Sequence, residues 1–282
     1  MTTSKELTSA AFDELRRLIH QRCGLALGDD KAYLIQHRLE PIIAAHGWRS
    51  FEQLCTALRE PEASQLVDEI VEAVTTRETS FFRDRHPFET FRGHLLPEIA
   101  RVAARTGRPL RIWSAGVSTG QEAYSLAFLL YDFQRAATVV GTHPVGASIL
   151  ATDVSTAALR VAAAAEYDAR QLARGLTPQQ VDRYFEPSGS VWRVREPIRR
   201  FVEFRRVNLI DSIASLGRFD AIFCRNVLIY FDDPTRRRLV DEFARLLAVE
   251  GYLVVGAAES LYGWMTPFRS EHIGPSIVYR HR

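Results

Sequence analysis

Lysine is nearly missing from this 282-residue chain: Lys5 and Lys31 are the two present, and the other positive charges are arginines. With 36 basic residues against 34 acidic ones the net charge is +2, so no global field marks the chain as a nucleic-acid binder. Cysteine is scarce as well. Cys23, Cys55 and Cys224 show no CxxC spacing and read as buried thiols of a reducing compartment. No metal-ligand spacing is present. No apolar run nears the roughly 20 residues a membrane span needs. Residues 1–20 carry Lys5, Glu6, Asp13 and Glu14 where a signal peptide would be apolar. The expectation is a cytoplasmic protein with no direct membrane insertion. GxGxxG and GxxxxGK[ST] are both absent, which removes the dinucleotide fingerprint and the triphosphate cradle. There is no internal repeat and no low-complexity tract.

What is present is enough apolar residue, 46%, for one large or two modest domains. Residues 9–74 read as helix. Phe12, Leu15, Leu18 and Ile19 repeat at helical spacing up to Gly24; Tyr33 to Ala45, Phe51 to Leu58 and Leu66 to Val74 follow. The expected division is a helical domain over 1–74, a functional linker over 75–87 and an α/β domain over 88–282. In the last, strands at Leu110 to Ser114, Ser148 to Thr152, Phe219 to Cys224 and Tyr252 to Val255 alternate with helices at Gln121 to Gln134, Ser155 to Ala164 and Pro234 to Leu247. That alternation predicts a mostly parallel sheet. Ile277 to Arg280 reads as a last edge strand. Thr177-Pro178-Gln179-Gln180 is a capping box. Val191 to Arg195 and Phe201 to Arg205 each alternate in period two, and a turn at Glu196-Pro197 predicts that they pair as an antiparallel ribbon inserted over about 186–206.

Two segments carry chemistry. Phe219 to Phe231 is an apolar run of strand length that ends abruptly in Arg225-Asn226, with Tyr230 four residues past the Asn. Arg111 to Ser125 is a strand, a Gly116–Gly120 turn and the start of a helix. Polar groups at the carboxyl ends of parallel strands sit where open α/β sheets bind ligands. Asp153 closes the next strand. Its carboxylate suits a ribose diol, although it could also cap the following helix; the adjacent turn favours the ribose. With no pyrophosphate to hold, a nucleoside with a small charged tail fits, and S-adenosylmethionine is the obvious candidate.

On these residues the chain resembles the CheR-type chemotaxis receptor methyltransferases. The matching motifs are Thr75 to Arg83, Trp113 to Glu122, Ala151-Thr152-Asp153, Val207-Asn208-Leu209 and Phe219 to Phe231, and the likeness covers nearly the whole chain. The resemblance implies a Rossmann-like α/β methyltransferase domain with a small antiparallel insert, preceded by an all-helical domain. It implies methyl transfer from S-adenosylmethionine, leaving S-adenosylhomocysteine, to receptor glutamates. It assigns Thr79 and Arg83 to the cofactor, with Arg83 near the methyl. Glu122 falls at the methionine end, Asp153 at the ribose, and Asn208 and Leu209 at the adenine. Arg225 and Asn226 close the pocket, and Tyr230 lies beside the methyl. Arg83 and Tyr230 are thus the candidate catalytic residues. Arg77 stands where the family usually has Asn; it either binds the methionine carboxylate or turns to solvent.

A glutamate carboxylate is already ionised at pH 7, so such a reaction needs no general base. It needs in-line alignment and a nucleophile stripped of water. Two other readings exist: a non-catalytic S-adenosylmethionine-binding adaptor of a chemosensory pathway, opposed by Arg83 and Tyr230, and a nicotinamide oxidoreductase, opposed by the missing glycines. Phe81 and Phe82 read as core plugs, Cys224 as a packed strand thiol, His86 and His94 as surface or packing residues. Arg16, Arg17, Arg22 and Arg38 read equally as a solvated face or a receptor-docking face. The link Glu186 to Trp192 is shorter than the Gly-rich loop with which some family members grip a receptor's C-terminal tail. The expected partner is the cytoplasmic domain of a chemotaxis receptor, engaged without a tether peptide; Arg193 and Arg195 share one ribbon face that either meets receptor carboxylates or is merely solvated, with Trp192 and Val194 packed on the sheet domain.

Overall fold

The computed structural model describes residues 6–139 and 145–282. Four helices come first: Ser9–Cys23, Ala32–Ala45, Phe51–Leu58 and Ser64–Val74. The Thr8 hydroxyl caps the first by accepting from Ala11 N at 3.3 Å, and Gly24 closes it in the left-handed region at φ 76°. Their apolar stripes meet in one cluster around Phe12, Leu15, Ile35, Leu39, Phe51 and Ile70.

The rest is built on ten strands: β1 (Leu110–Ala115), β2 (Ala147–Asp153), β3 (Glu166–Tyr167), β4 (Phe185–Ser188), β5 (Val191–Val194), β6 (Val202–Arg206), β7 (Phe219–Cys224), β8 (Leu247–Val255), β9 (Phe268–Ile273) and β10 (Ser276–His281). Seven of them form a sheet in the order β6-β2-β1-β7-β8-β10-β9. From β6 to β8 all neighbours are parallel; β10 and β9 finish the sheet antiparallel. Alternate residues of the central strands feed opposite faces. Ile112, Ile149 and Phe223 face the cluster under helix Gln121–Val139, while Trp113, Leu150 and Ile222 face the cluster under helix Asp233–Leu246. The chain winds outward from β1 through β2 to β6, then returns to start β7 on the other side of β1. The order therefore reverses between β1 and β7, and a crevice opens there at the strands' carboxyl ends.

Two strand expectations are corrected. Phe201 to Arg205 does not pair with Val191 to Arg195; as β6 it lies parallel to β2 at the sheet edge, from Ile149–Val202 to Asp153–Arg206. Glu196–Arg199 forms a helical turn rather than a tight reversal, so the chain cannot fold straight back on β5. The ribbon is instead β3-β5-β4, antiparallel throughout, with Gly189 at φ 63° in the first position of a two-residue hairpin loop. The edge strand at the other end is β9, and Ile277 to Arg280 lies one position inside it. The capping box at Thr177 and Gln180 is present. Phe81 is a core plug, buried against Phe128, Tyr167 and Phe185.

Candidate functional site

The crevice at the β1/β7 reversal is a cleft with about 1010 Å³ of free space, including its open mouth. Four parts of the chain wall it.

The first is the turn after β1. Gly116 (φ 72°), Ser118 (φ 53°) and Gly120 (φ 97°) all take the left-handed region. Gly116 N and Val117 N donate to Thr152 O at 2.8 and 2.9 Å, which ties the turn to the end of β2. A Cβ on Gly116 would meet Val227 Cγ2 at 2.4 Å, so glycine there lets the β1 and β7 turns approach. Asp153, the last residue of β2, closes this wall. Its Oδ2 accepts from Ser118 N at 2.7 Å and its Oδ1 from Ser155 N at 2.9 Å. The helix N-cap is Ser155, whose hydroxyl accepts from Ala158 N, so Asp153 is free of that duty and faces the cleft. Burial pushes its carboxyl above the usual range, against the pull of those backbone N–H groups.

The second part follows β7. Arg225 is fully enclosed and donates to Glu122 Oε2 at 3.1 Å, to Asp84 Oδ2 at 2.7 Å and to the Arg83 carbonyl at 2.8 Å. It thus pins the linker to the sheet. Glu122 also accepts from Ser114 Oγ at 2.9 Å, and burial pushes its carboxyl up despite the Arg225 guanidinium. Asn226 follows at φ 59°, and its Oδ1 is buried with no partner inside the protein. A residue not anticipated from the sequence sets this turn. Glu259, buried after β8, accepts from Asn226 N (2.7 Å), Val227 N (2.7 Å), Ile229 N (3.2 Å) and Gly256 N (2.7 Å). A carboxylate just past the carboxyl end of a parallel strand was the available signal.

The third part is the linker. Phe82, Asp84 and Arg85 all have positive φ, and Phe82 N donates to Ser125 Oγ at 2.9 Å. This bend turns Thr79 and Arg83 to the cleft. Arg83 Nη1 donates to Glu78 O at 3.2 Å. Arg77 does not line the cleft: its guanidinium pairs with Glu72 at 3.0 Å.

The fourth part comes from the helical domain and β6–β7 connection. Cys23 and Leu25 line the cleft together with Asn208 and Leu209, a contribution the sequence reading left out. Asn208 Nδ2 donates to Arg22 O at 2.7 Å. Leu25 bridges to Phe231, and Ala26 N donates to Tyr230 O at 2.8 Å, so Tyr230 hangs between the two domains. Arg38 is not a merely solvated charge: it reaches Val74 O and, at 3.1 Å, Thr76 Oγ1. Cys224 is a buried strand thiol whose pKa burial pushes far up.

The cleft thus gathers Thr79, Arg83, Glu122, Asp153, Asn208, Leu209, Arg225, Asn226 and Tyr230, and leaves out Arg77. The orphaned Asn226 oxygen, the Asp153 carboxylate and the absence of a phosphate loop suit a nucleoside cofactor. Sheet, cleft and linker define a methyltransferase that uses S-adenosylmethionine. The chain belongs to the CheR methyltransferase family: residues 10–75 match its all-alpha domain and residues 77–274 its SAM binding domain. It is 40% identical over 273 residues to chemotaxis protein methyltransferase 1 of Pseudomonas aeruginosa, covering 96% of this chain and 98% of that one. It is 38% identical over 270 residues to chemotaxis protein methyltransferase Cher2 of Pseudomonas putida (95% and 97%). It is 35% identical over 265 residues to the chemotaxis protein methyltransferase of Escherichia coli (92% and 87%). Among the described residues no helix is long and apolar enough to cross a membrane.

Proposed function

We propose that this methyltransferase acts on glutamate side chains in the cytoplasmic domains of methyl-accepting chemotaxis receptors and forms methyl esters. The observation that carries this is the placing of Arg83 and Tyr230 on one cofactor cleft. Arg83 spends a single donor on the Glu78 carbonyl and keeps the rest of its guanidinium for a substrate carboxylate. When bound, S-adenosylmethionine supplies a methyl group on a good sulfonium leaving group. Asp153 receives the ribose hydroxyls, Asn208 and Leu209 flank the adenine, and Thr79, Glu122, Arg225 and Asn226 enclose the amino-acid end. Arg83 holds the incoming carboxylate in line, and the Tyr230 ring and hydroxyl wall the methyl from water. No proton moves, because the nucleophile arrives ionised. The names of the relatives support the chemotactic setting.

The test is incubation with methyl-labelled S-adenosylmethionine and a cytoplasmic receptor fragment. The label is expected on glutamate in a bond cleaved by mild base. A base-stable product would sink the carboxylate assignment. Cofactor binding without any label on the receptor would make the chain an adaptor.

A further inference from the structure

Arg77 and Glu72 lie outside the cleft, yet both close a circuit of polar contacts around Asp153. Arg77 Nη2 pairs with Glu72 Oε2 at 3.0 Å. The same Glu72 oxygen accepts from the Ser155 hydroxyl, and its other oxygen accepts from Ala157 N at 3.0 Å. Ser155 N donates to Asp153 Oδ1 at 2.9 Å. Asp153 Oδ2 accepts from Ser118 N at 2.7 Å, and Ser118 Oγ returns to the Arg77 carbonyl at 3.2 Å. Five residues from the last N-terminal helix, the linker, the β1 turn and the end of β2 are thus joined.

The chemistry of this circuit is specific. Glu72 reaches across from helix Ser64–Val74 to the first turn of helix Thr156–Ala164, where backbone N–H groups have no partner of their own. It also brings a second carboxylate close to the buried Asp153, and like charges disfavour each other's ionised form. The Arg77 guanidinium offsets that charge from the outer side. The other cation near this corner, Arg206, is engaged by Asp68 and by the Val154 carbonyl at 3.3 Å. An Asn at position 77 could donate a hydrogen bond to Glu72 but could not balance its charge.

We propose that Glu72 and Arg77 are positioning residues of the cofactor site, which act through Ser155 and Ser118 to hold the Asp153 carboxylate where the ribose hydroxyls reach it. Arg77 itself touches no part of the cofactor. This rests on the cofactor reading above and says which residues outside the cleft tune it.

The test is a pair of double-mutant cycles on S-adenosylmethionine affinity, measured by calorimetry on the full chain. Glu72→Gln and Arg77→Ala are each expected to weaken binding by about threefold to tenfold, below the loss for a direct charged contact. In turnover assays the loss falls in KM for S-adenosylmethionine rather than in kcat. In an Asp153→Ala background the same substitutions should change affinity by less than about twofold, because their route to the cofactor is gone. A merely structural loosening would multiply with Asp153→Ala instead, and that result, or unchanged affinity in both single variants, overturns the proposal. Arg77 is half-exposed, so its variant keeps the test valid if Glu72→Gln folds poorly. Wild-type protein with no affinity for S-adenosylmethionine would sink the cofactor reading itself, an outcome distinct from multiplying losses.

Discussion

Asp153 lines the cleft, and the proposed ribose role makes it the residue to test first. Removing a charged acceptor of hydroxyl groups costs about 1.5–3 kcal/mol, or roughly tenfold to over a hundredfold in affinity. Asp153→Ala is expected to weaken S-adenosylmethionine and S-adenosylhomocysteine alike, read by calorimetry; unchanged affinity in a folded variant rules out the ribose role. The sign of the pH dependence follows from burial. Burial holds the carboxyl of Asp153 above its ordinary range, and in the proposed ribose role the ionised form is the acceptor. Affinity should therefore fall as pH drops through that raised value, sooner than an exposed aspartate would allow. On the proposed roles of Arg83 and Tyr230 at the methyl, Arg83→Ala and Tyr230→Phe should behave differently, lowering kcat more than they weaken cofactor affinity. Wild-type turnover in both variants would remove them from the mechanism. Glu259 belongs to a third kind. Its Ala variant strands four backbone N–H groups and frees the Asn226–Ile229 turn. A loss of about 2–3 kcal/mol in stability, visible as a lower Tm, should accompany reduced turnover. An unchanged melting curve would show that water replaces the carboxylate without cost.

At the scale of elements, the close approach of two turns is the feature to test. Gly116→Ala puts a Cβ against Val227 and forces a left-handed backbone, which by itself costs about 1–2 kcal/mol. Val227→Ala in the same chain should recover the steric part of the loss and leave the backbone part. Full recovery would mean that φ at this position carries no strain. The elements also differ in how far the sequence exposes them. β1, β2 and β7 are buried on both faces at their centres, so Ile112-Trp113, Ile149 to Ala151 and Ala221 to Cys224 read as apolar cores and the polar groups beyond them stood out as the site. β6 is an edge strand with one covered face. Its alternation is the same pattern a ribbon strand shows, so period alone placed it in the wrong sheet. β9 carries Arg269, Ser270, Glu271 and His272 between its terminal Phe268 and Ile273, as an exposed edge can, and gave no apolar signal. Glu72 was invisible for another reason: a carboxylate that serves a distant backbone N–H has no local motif, whereas Glu259 had its position past the end of β8 as a signal.

Across the whole molecule, the ribbon bears on how substrate is met. Its β4–β5 connection is a two-residue turn, and Pro187 on the outer strand β4 lacks the N–H that an added strand would need. Val194 is buried on one face, while Arg193 on the other is already matched by Glu166. Arg193, half of the basic face expected from the sequence, is therefore neutralised within the ribbon, while Arg195, just past the end of β5, donates from its guanidinium to the Asp182 carbonyl at 3.1 Å and keeps its charge open. A receptor fragment trimmed of its last few residues should be methylated as fast as the intact one, and rising salt should slow both equally. A large loss of rate on trimming would show that the ribbon takes a tail peptide after all.

The pairing of Leu25 and Ala26 with Phe231 and Tyr230 also makes the seam between domains a reporter of occupancy. A cofactor held between those walls would bind the docked arrangement in preference to a parted one, so each increment of ligand would raise the work of parting them by mass action. At a ligand concentration of a hundred times Kd that increment is about 2.7 kcal/mol. Proteolysis between the last N-terminal helix and the sheet domain, around residues 75–80, should slow accordingly when S-adenosylhomocysteine is added, and should lose that protection in Asp153→Ala. The helical domain would then act as a cover whose closure can be timed with a protease, with no receptor in the tube.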